Sequence, residues 1–260
     1  MALTLPGLDP VTDRPVFKQI ADHLRDAIER GSLQPGEKVP SEAKLMGHYS
    51  VARMTIRNAL QILQAEGLTV AEHGRGVFVR SRPPVRRLAS DRFARRHREQ
   101  GKAAFIVETE GAGGKPGVDS IQISEADPPA EIAACLGLRE GERVLIRSRR
   151  YLINDHPVET AVSYIPAAIA RGTRIAEPDT GPGGIYARLE EIGHRLDHFD
   201  EEVKARMPTR EEAKALRLAP GTPVFRLVRT AYAEGGTAVE VCDTVMSTDA
   251  YVLSYQLPAR

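Results

Sequence analysis

The chain has 260 residues, of which 42% are hydrophobic and 27% charged, a balance that excludes a disordered polymer and supplies one or two buried cores. It carries no run of about 18 apolar residues, and its start, MALTLPGLDP, lacks the positive flank and apolar stretch of a secretory signal, so a spanning helix is excluded and a cytoplasmic location is expected. The formal net charge of +1 conceals an asymmetry: residues 1–100 hold 17 Lys and Arg against 11 Asp and Glu, the remainder 19 against 24, which points to a polyanionic partner for the first part alone.

In chain order, Pro15 and Val16 open a helical pattern with Val16, Ile20, Leu24 and Ile28 spaced by four, while Gln19, Asp22, Arg25 and Asp26 point elsewhere. The helix is expected to end near Gly31. The turn SLQPGEKVPSE follows, with Pro35-Gly36 marking the bend and Ser41 placed to cap a second helix from Glu42 to about Tyr49. A third helix is expected from about Ala52 to Glu66, with Ile56, Ala59, Leu60 and Leu63 inward and Gly67 as its stop. Its outward stripe carries Arg53, Arg57, Gln61 and Gln64, flanked by Thr55 and Asn58. Taken alone, such a stripe is a solvated face. A short helix leading by a tight turn into a helix with two arginines near its start is, however, the arrangement that reaches base edges and phosphates in a major groove. LTVA and GVFVR then read as two short strands around EHGRG, a hairpin whose tip holds His73, Gly74, Arg75 and Gly76 and is placed to lie along the adjacent backbone or minor groove.

VPSEAKL, VARMTIRNALQILQAEGL and HGRGVFV together resemble the winged helix-turn-helix of the GntR family of bacterial transcription regulators, over roughly Val16 to Arg80. The resemblance implies DNA contacts by Arg53, Thr55 and Arg57, with Gly74 in the minor groove. Ser41, Lys44, Asn58, His73 and Arg75 complete the expected DNA-binding set. Two positions depart from the family pattern: Ala43 stands where an arginine often follows the PSE glutamate, and Ala52 stands where Ser or Thr is usual. Ala52 gives up a capping hydroxyl worth about 1 kcal/mol, which Ser50 is a candidate to replace in part.

Residues 81–104 are expected to form a linker, since Pro83-Pro84 interrupts regular pairing. Its basic cluster, Arg86, Arg87, Arg92, Arg95, Arg96 and Arg98, is either a solvated tether or a set of phosphate contacts. From Phe105 onward strand candidates appear at FIVETE, VDSIQISEA, RVLIRSRRYLI, HPVETAVSYI, DHFDEEVKARM, PVFRLVRTAYA and AVEVCDTVM, with helices near Pro129–Leu136, Ile185–Ile192 and Arg210–Leu216. The fold class expected is α+β, a head at 9–80 followed by an antiparallel-sheet domain at 105–260. Cys135 and Cys242 have neither CxxC spacing nor the density of a disulfide framework and are expected to be reduced and at least partly buried. The pieces RSRRYLINDHPVETAVSYIP, LAPGTPVFRLVRTAY, AVEVCDTVM and YVLSYQL resemble the effector-binding UTRA domain, which shares its fold with chorismate lyase, over about Phe105 to Leu257. That resemblance places the chain in the HutC-like subgroup.

Arg147 and Arg149 are two apart in a strand and share one face, as Glu159, Ala161 and Ser163 share a face of the next. Paired guanidiniums suit a carboxylate or phosphate, and a structural pairing with Glu159 or Glu240 is the alternative. The resemblance maps Arg147, Arg149, Glu159, Ser163, Tyr164 and Glu240 near positions that hold effector. The loop EPDTGPGGIY, residues 177–186, can close over a ligand or cradle an anion with backbone NH groups, but it lacks the Lys-Ser/Thr of a P-loop. No cofactor and no metal are expected; His194 and His198 lie at a strand entry, where i, i+4 spacing does not bring two rings to one ion.

The expected function is that of a sequence-specific DNA-binding regulator, a repressor released from its operator by a small polar or anionic metabolite. The resemblance implies a homodimer through the second domain, and two-fold symmetry implies a near-palindromic operator. The alternative is a chorismate-lyase-like enzyme with a DNA-binding appendage; no Ser-His-Asp or Cys-His pairing can be argued for it from spacing.

Overall fold

The computed structural model describes residues 3–72, 74–80, 85–88, 93, 96–97 and 100–256. They fall into two units, Met1–Arg82 with Leu218–Thr222, and Pro83–Arg217 with Pro223–Arg260.

In the first unit, α1 (Val16–Glu29), α2 (Glu42–Tyr49) and α3 (Arg53–Ala65) precede an antiparallel hairpin of β1 (Thr69–Glu72) and β2 (Gly76–Val79). Ile20 and Leu24 of α1, Leu45 and Tyr49 of α2, and Ile56, Ala59, Leu60 and Leu63 of α3 close one core. Each buried Leu or Ile contributes about 1.5–3 kcal/mol, so the helical period alone supplies most of what holds the three helices together. The start of α2 is set by Ser41, whose Oγ accepts from the Lys44 amide at 3.3 Å, and its end by Ser50 in the left-handed region at φ 54. Ala52 opens α3 with no side-chain cap. Ser50 is therefore the C-cap of α2 and does not replace the hydroxyl that Ala52 lacks.

The hairpin gains a third short partner from the turn before α2. The Val39 amide donates to Val77 O at 2.9 Å and the Val79 amide to Glu37 O at 2.8 Å, with Lys38 bridging Phe78. Gly76 sits at φ +121, and a Cβ there would stand 2.7 Å from Lys38 Cε. One expectation for α1 is corrected. Gln19, expected to point away from the core, is buried; its Nε2 donates to the carbonyls of Asp9 and Arg14 at 3.2 and 2.9 Å, and its Oε1 accepts from the Asp9 amide at 3.0 Å. Residues 9–14 have no ladder to satisfy their backbone, and this side chain substitutes for one. Val16, expected inward, is 39% exposed.

The second unit is built on a six-stranded sheet in the order β4-β5-β6-β9-β8-β7, with every neighbouring pair antiparallel. Its strands are β4 (Pro116–Ala126), β5 (Val144–Ile153), β6 (His156–Pro166), β7 (Leu196–Arg206), β8 (Val224–Ala233) and β9 (Ala238–Ser247). A separate parallel pair joins β3 (Val85–Leu88) to β10 (Tyr251–Ser254). Its helices include α4 (Ala104–Gly111), α5 (Ala130–Leu136), α6 (Ala167–Ala170), α7 (Gly184–Glu191) and α8 (Arg210–Ala215), with a 3-10 turn at Arg174–Ala176.

Register and the two-residue period divide the sheet into two faces. Arg147, Arg149 and Tyr151 of β5 stand opposite Ser163, Ala161 and Glu159 of β6, which stand opposite Cys242, Thr244 and Met246 of β9, and Cys242 and Thr244 oppose Arg229 and Leu227 of β8. Ile175 of the 3-10 turn, Ala170 of α6 and Leu189 of α7 cover one end of this face, and Val85, Tyr251 and Phe105 of α4 cover the other. The opposite face packs Tyr164, Val241 and Val228 against Leu136 of α5.

Two expectations are overturned here. FIVETE, expected as a strand, lies in α4, where Phe105 and Thr109 at i, i+4 are the buried pair. Part of the expected linker is sheet: residues 85–88 form β3, and Arg87, expected to be solvated or at phosphate, is 2% exposed because its charge is paired inside the unit. Arg86 and Arg96 are exposed, while Arg92, Arg95 and Arg98 lie outside the described residues. No helix among the described residues is long and apolar enough to cross a membrane.

Candidate functional site

The head presents cations on a rigid frame. Arg53 and Arg57, one turn apart on α3, have side chains 67% and 56% exposed, while the opposite side of the same helix is fully inside the core. Asn58 is exposed and Thr55 partly so. Both guanidiniums lean on one carboxylate, with Nε of Arg53 3.6 Å and Nε of Arg57 4.0 Å from Glu42. Such exposed, long pairs are worth little and release their arginines readily to a stronger anion. Ser41 and Lys44 are exposed in the capped first turn of α2, next to Glu42, so the structure groups them with the α3 arginines through that carboxylate. At the hairpin tip Gly74 takes φ +73 and Arg75 is exposed, its guanidinium paired with Glu72 and 5.3 Å from the Phe78 ring centre. His73 lies outside the described residues.

In the second unit a cavity of about 450 Å³ opens over the arginine-bearing sheet face, a size suited to a small metabolite. Arg147, Arg149, Tyr151, Arg229 and Glu240 line it from the sheet. The loop from Pro178 to Gly184, with Tyr186 of α7, lines it from above. A larger hollow in the head, about 660 Å³, is lined by Leu3, Leu5, Leu33, Val39 and Leu45 with exposed Lys38, Lys44 and His48; it gathers no buried charge and is the weaker candidate.

The two expected arginines do different things. Arg147 is buried and donates to the carbonyl oxygens of Glu177 and Pro178, so it fastens the loop to the sheet. Burial and the neighbouring Arg149 charge lower its pKa from the usual arginine value. Arg149 donates from Nε to Tyr151 Oη at 2.8 Å and from Nη1 to Ser163 Oγ at 2.8 Å and Arg147 O at 3.1 Å. Its Nη2 stands 3.8 Å from Cys242 Sγ and is the group left to meet a ligand. Burial opposes the charged form of Arg149, but Tyr151, Cys242 and Glu240 outweigh it and hold the pKa above the arginine range.

Glu240 is 1% exposed, and its Oε2 accepts no hydrogen bond among the described residues. A buried carboxylate oxygen without a donor is costly, and here it faces a cavity from which a donor can come. Tyr186 Oη accepts from Arg229 Nε at 2.8 Å, which leaves its proton for Glu240; burial first, and Glu240 in addition, push that hydroxyl well above the usual tyrosine range.

Three expected effector residues are placed differently from the cavity wall. Ser163 is fully buried and reaches the cavity only through Arg149. Glu159 is buried opposite Tyr151 on the same face but outside the cavity lining. Tyr164 is the correction: adjacent residues of a strand point to opposite faces, and Tyr164 packs with Leu136 and Val241 on the far side of the sheet. Residues not singled out in the sequence, together with Tyr186 at the end of the expected loop 177–186, complete the wall. Arg229, Tyr186, Tyr151 and Phe93 line the cavity, and the Arg229 guanidinium lies 4.5 Å from the Phe93 ring centre. An arginine between Leu227 and Ala231 on the inward period of β8 was the available signal for Arg229. Cys135 is exposed, contrary to expectation, and Cys242 is buried; both are free thiols.

Comparison with known proteins places both units in one family. Residues 17–79 match the family described as bacterial regulatory proteins, gntR family, and residues 111–252 match the UTRA domain. A relative from Streptomyces coelicolor, the uncharacterized HTH-type transcriptional regulator SCO4628, is 33% identical over 247 residues, spanning 93% of this chain and 92% of its own length. The HTH-type transcriptional repressor NagR of Bacillus subtilis is 30% identical over 244 residues, covering 94% and 95%. A crystal structure assigned to the GntR family superposes with a TM-score of 0.63 at 30% identity, covering 95% of this chain and 99% of that one. An uncapped arginine-faced helix beside a glycine-tipped hairpin, followed by an arginine-lined sheet cavity, is therefore the plan of a regulator and not of an enzyme: the chain belongs to the GntR family of bacterial transcription regulators, in the HutC-like subgroup that joins a winged helix-turn-helix to a UTRA domain.

Proposed function

We propose that the chain is a cytoplasmic repressor whose head, residues 9–80, binds a near-palindromic operator as part of a homodimer, and whose second domain, residues 105–260, holds the small molecule that releases it. The name of the Bacillus subtilis relative, a repressor, supports the sign of the regulation. Arg53, Arg57, Thr55 and Asn58 are assigned to base edges and adjacent phosphates, Ser41 and Lys44 to phosphates, and the hairpin tip, His73, Gly74 and Arg75, to the minor groove.

The observation that carries the effector reading is one cavity lined by both Arg149 and Glu240, whose buried Oε2 has no donor among the described residues. A ligand that satisfies both carries an anionic group for Arg149 and Arg229 and a hydroxyl or ammonium hydrogen for Glu240. Gly183 at φ +80 precedes α7, whose first residues line the same cavity, so that the helix N-terminus adds a partial positive charge near an anion there. Ser163 positions Arg149 through its hydroxyl, and Glu159 stands opposite Tyr151 in the register. Fluorescence anisotropy on operator DNA tests the reading: addition of a polyhydroxylated or amino-bearing anion releases the DNA, whereas release by no member of a metabolite panel, or by neutral and anionic members alike, removes it.

A further inference from the structure

Beyond the cavity wall, Arg229 is joined to β3 by a short chain of enclosed charge. Arg229 Nη1 stands 3.6 Å from Glu201 Oε1, and Arg87 Nη2 donates to the same oxygen at 2.6 Å. Arg87 also places Nη1 3.2 Å from Met246 Sδ, on the floor of the sheet. The Glu201 side chain is only 11% exposed, and neither Glu201 nor Arg87 lines the cavity. On its other side Arg229 is faced by Phe93, whose ring packs on Phe199 at 4.3 Å and Tyr186 at 5.7 Å between centres. Two residues of the stretch that follows the head in the chain, Arg87 and Phe93, thus grip the Arg229–Glu201 pair from opposite ends.

We propose that Glu201 is a positioning residue that passes cavity occupancy to β3, with Arg87 as the receiving group. Both guanidiniums compete for one carboxylate oxygen. The contact to Arg87 is short and the contact to Arg229 long, so an anion in the cavity draws Arg229 first. Glu201 is then held by Arg87, with the Tyr255 hydroxyl donating to its other oxygen at 3.4 Å, and the enclosed Arg87–Glu201 contact tightens β3 on the sheet while Phe93 loses the cation over its ring. A ligand shifts a conformational balance only through a difference in its contacts between two states, and this shared oxygen is such a difference. The inference rests on the proposed anionic effector, which the experiment reads separately.

The test uses the full chain with inorganic phosphate, and in parallel acetate, as the probe. Calorimetry reads binding, and hydrogen exchange of the peptide covering residues 85–88 reads β3. In the parent, binding is accompanied by several-fold slower exchange of that peptide. In Glu201→Gln, which keeps shape and an acceptor oxygen but removes the charge, the anion still binds within about threefold and the exchange response is lost. Arg87→Lys, which keeps the charge without the planar fork, retains a reduced response and guards against a Glu201 variant that fails to fold. Absence of binding by either anion to the parent overturns the anionic reading and the relay with it. Binding without a change at residues 85–88, or an undiminished change in Glu201→Gln, overturns the relay and leaves the cavity reading standing.

Discussion

Arg149 reaches across the β5–β6 register to donate from Nη1 to Ser163 Oγ at 2.8 Å, so one strand aims the cation of its neighbour. Together with the bond to Tyr151 Oη, this holds two of the three guanidinium nitrogens, while Nη2 has only the long contact to Cys242 Sγ and Arg149 lines the cavity. Arg149→Ala is expected to leave operator affinity without effector within about twofold and to abolish release. Typical couplings of about 1–3 kcal/mol correspond to 5- to 150-fold changes in operator affinity, so the loss is readily measured. Anisotropy titrations with and without effector check it, and circular dichroism shows whether the variant remains folded. An intact release response in Arg149→Ala excludes Arg149 from the site.

Arg57→Ala and Arg53→Ala are expected to cost roughly 1–3 kcal/mol of operator binding each and to relax base preference at one position per half-site, because a bidentate arginine contact to guanine carries sequence information. Arg75→Ala should instead weaken cognate and random DNA alike and reduce the salt dependence by about one counterion. Parallel binding curves on both DNAs at several salt concentrations separate the two classes. Equal losses on both DNAs for Arg57→Ala would place Arg57 on the backbone.

Much of this was legible in the sequence, for local reasons. The helices of the head follow from apolar spacing at Ile56, Ala59, Leu60 and Leu63 and from the stop at Gly67, and β4 to β9 follow from β-branched alternation. What was missed depends on partners far away in the chain. β3 reads as a basic tether because its ladder partner among the described residues, β10, lies more than 160 residues further along. The six residues FIVETE favour a strand by composition, and only the burial of Phe105 with Thr109 makes them helical. The family resemblance maps Tyr164 to the effector site together with Ser163, but neighbours in a strand point to opposite faces, and Tyr164 packs on the far side of the sheet.

Glu212 closes a capping box with Thr209 and accepts both terminal nitrogens of Arg206 at 2.7 Å. The Arg206 hydrogen bonds hold its pKa below the ordinary carboxylate value against the opposing effect of burial. A depressed acid contributes stability that is present above its unfolded pKa, about 4.3, and is lost as pH falls through the lower folded value. Glu212→Gln, which keeps the capping geometry but removes the charge facing Arg206, should therefore lower the melting temperature near neutrality by up to about 1 kcal/mol of stability, and the gap should close only as pH falls through the depressed folded value. A gap that stays constant across this range would argue against the ionised cap.

Gly181 takes φ +76, and a Cβ there would meet Arg174 Nη1 at 2.7 Å and Arg188 Nη1 at 2.9 Å. Gly181→Ala is expected to displace the loop over the cavity and weaken effector binding at least tenfold, while effector-free operator binding is kept. Calorimetry of the effector with parent and variant reads this directly; equal affinities would show that the loop does not seat the ligand.

The central claim is that the arginine-lined cavity takes an anion whose binding weakens the hold on DNA. One experiment meets it most directly: operator-bound protein is titrated by anisotropy with matched pairs of metabolites, each anion against its neutral ester or amide, in the parent and in Arg149→Ala. The account predicts release by at least one anion, none by its neutral partner, and none from Arg149→Ala. Release by a neutral partner with equal potency, or an unchanged response in Arg149→Ala, would contradict it.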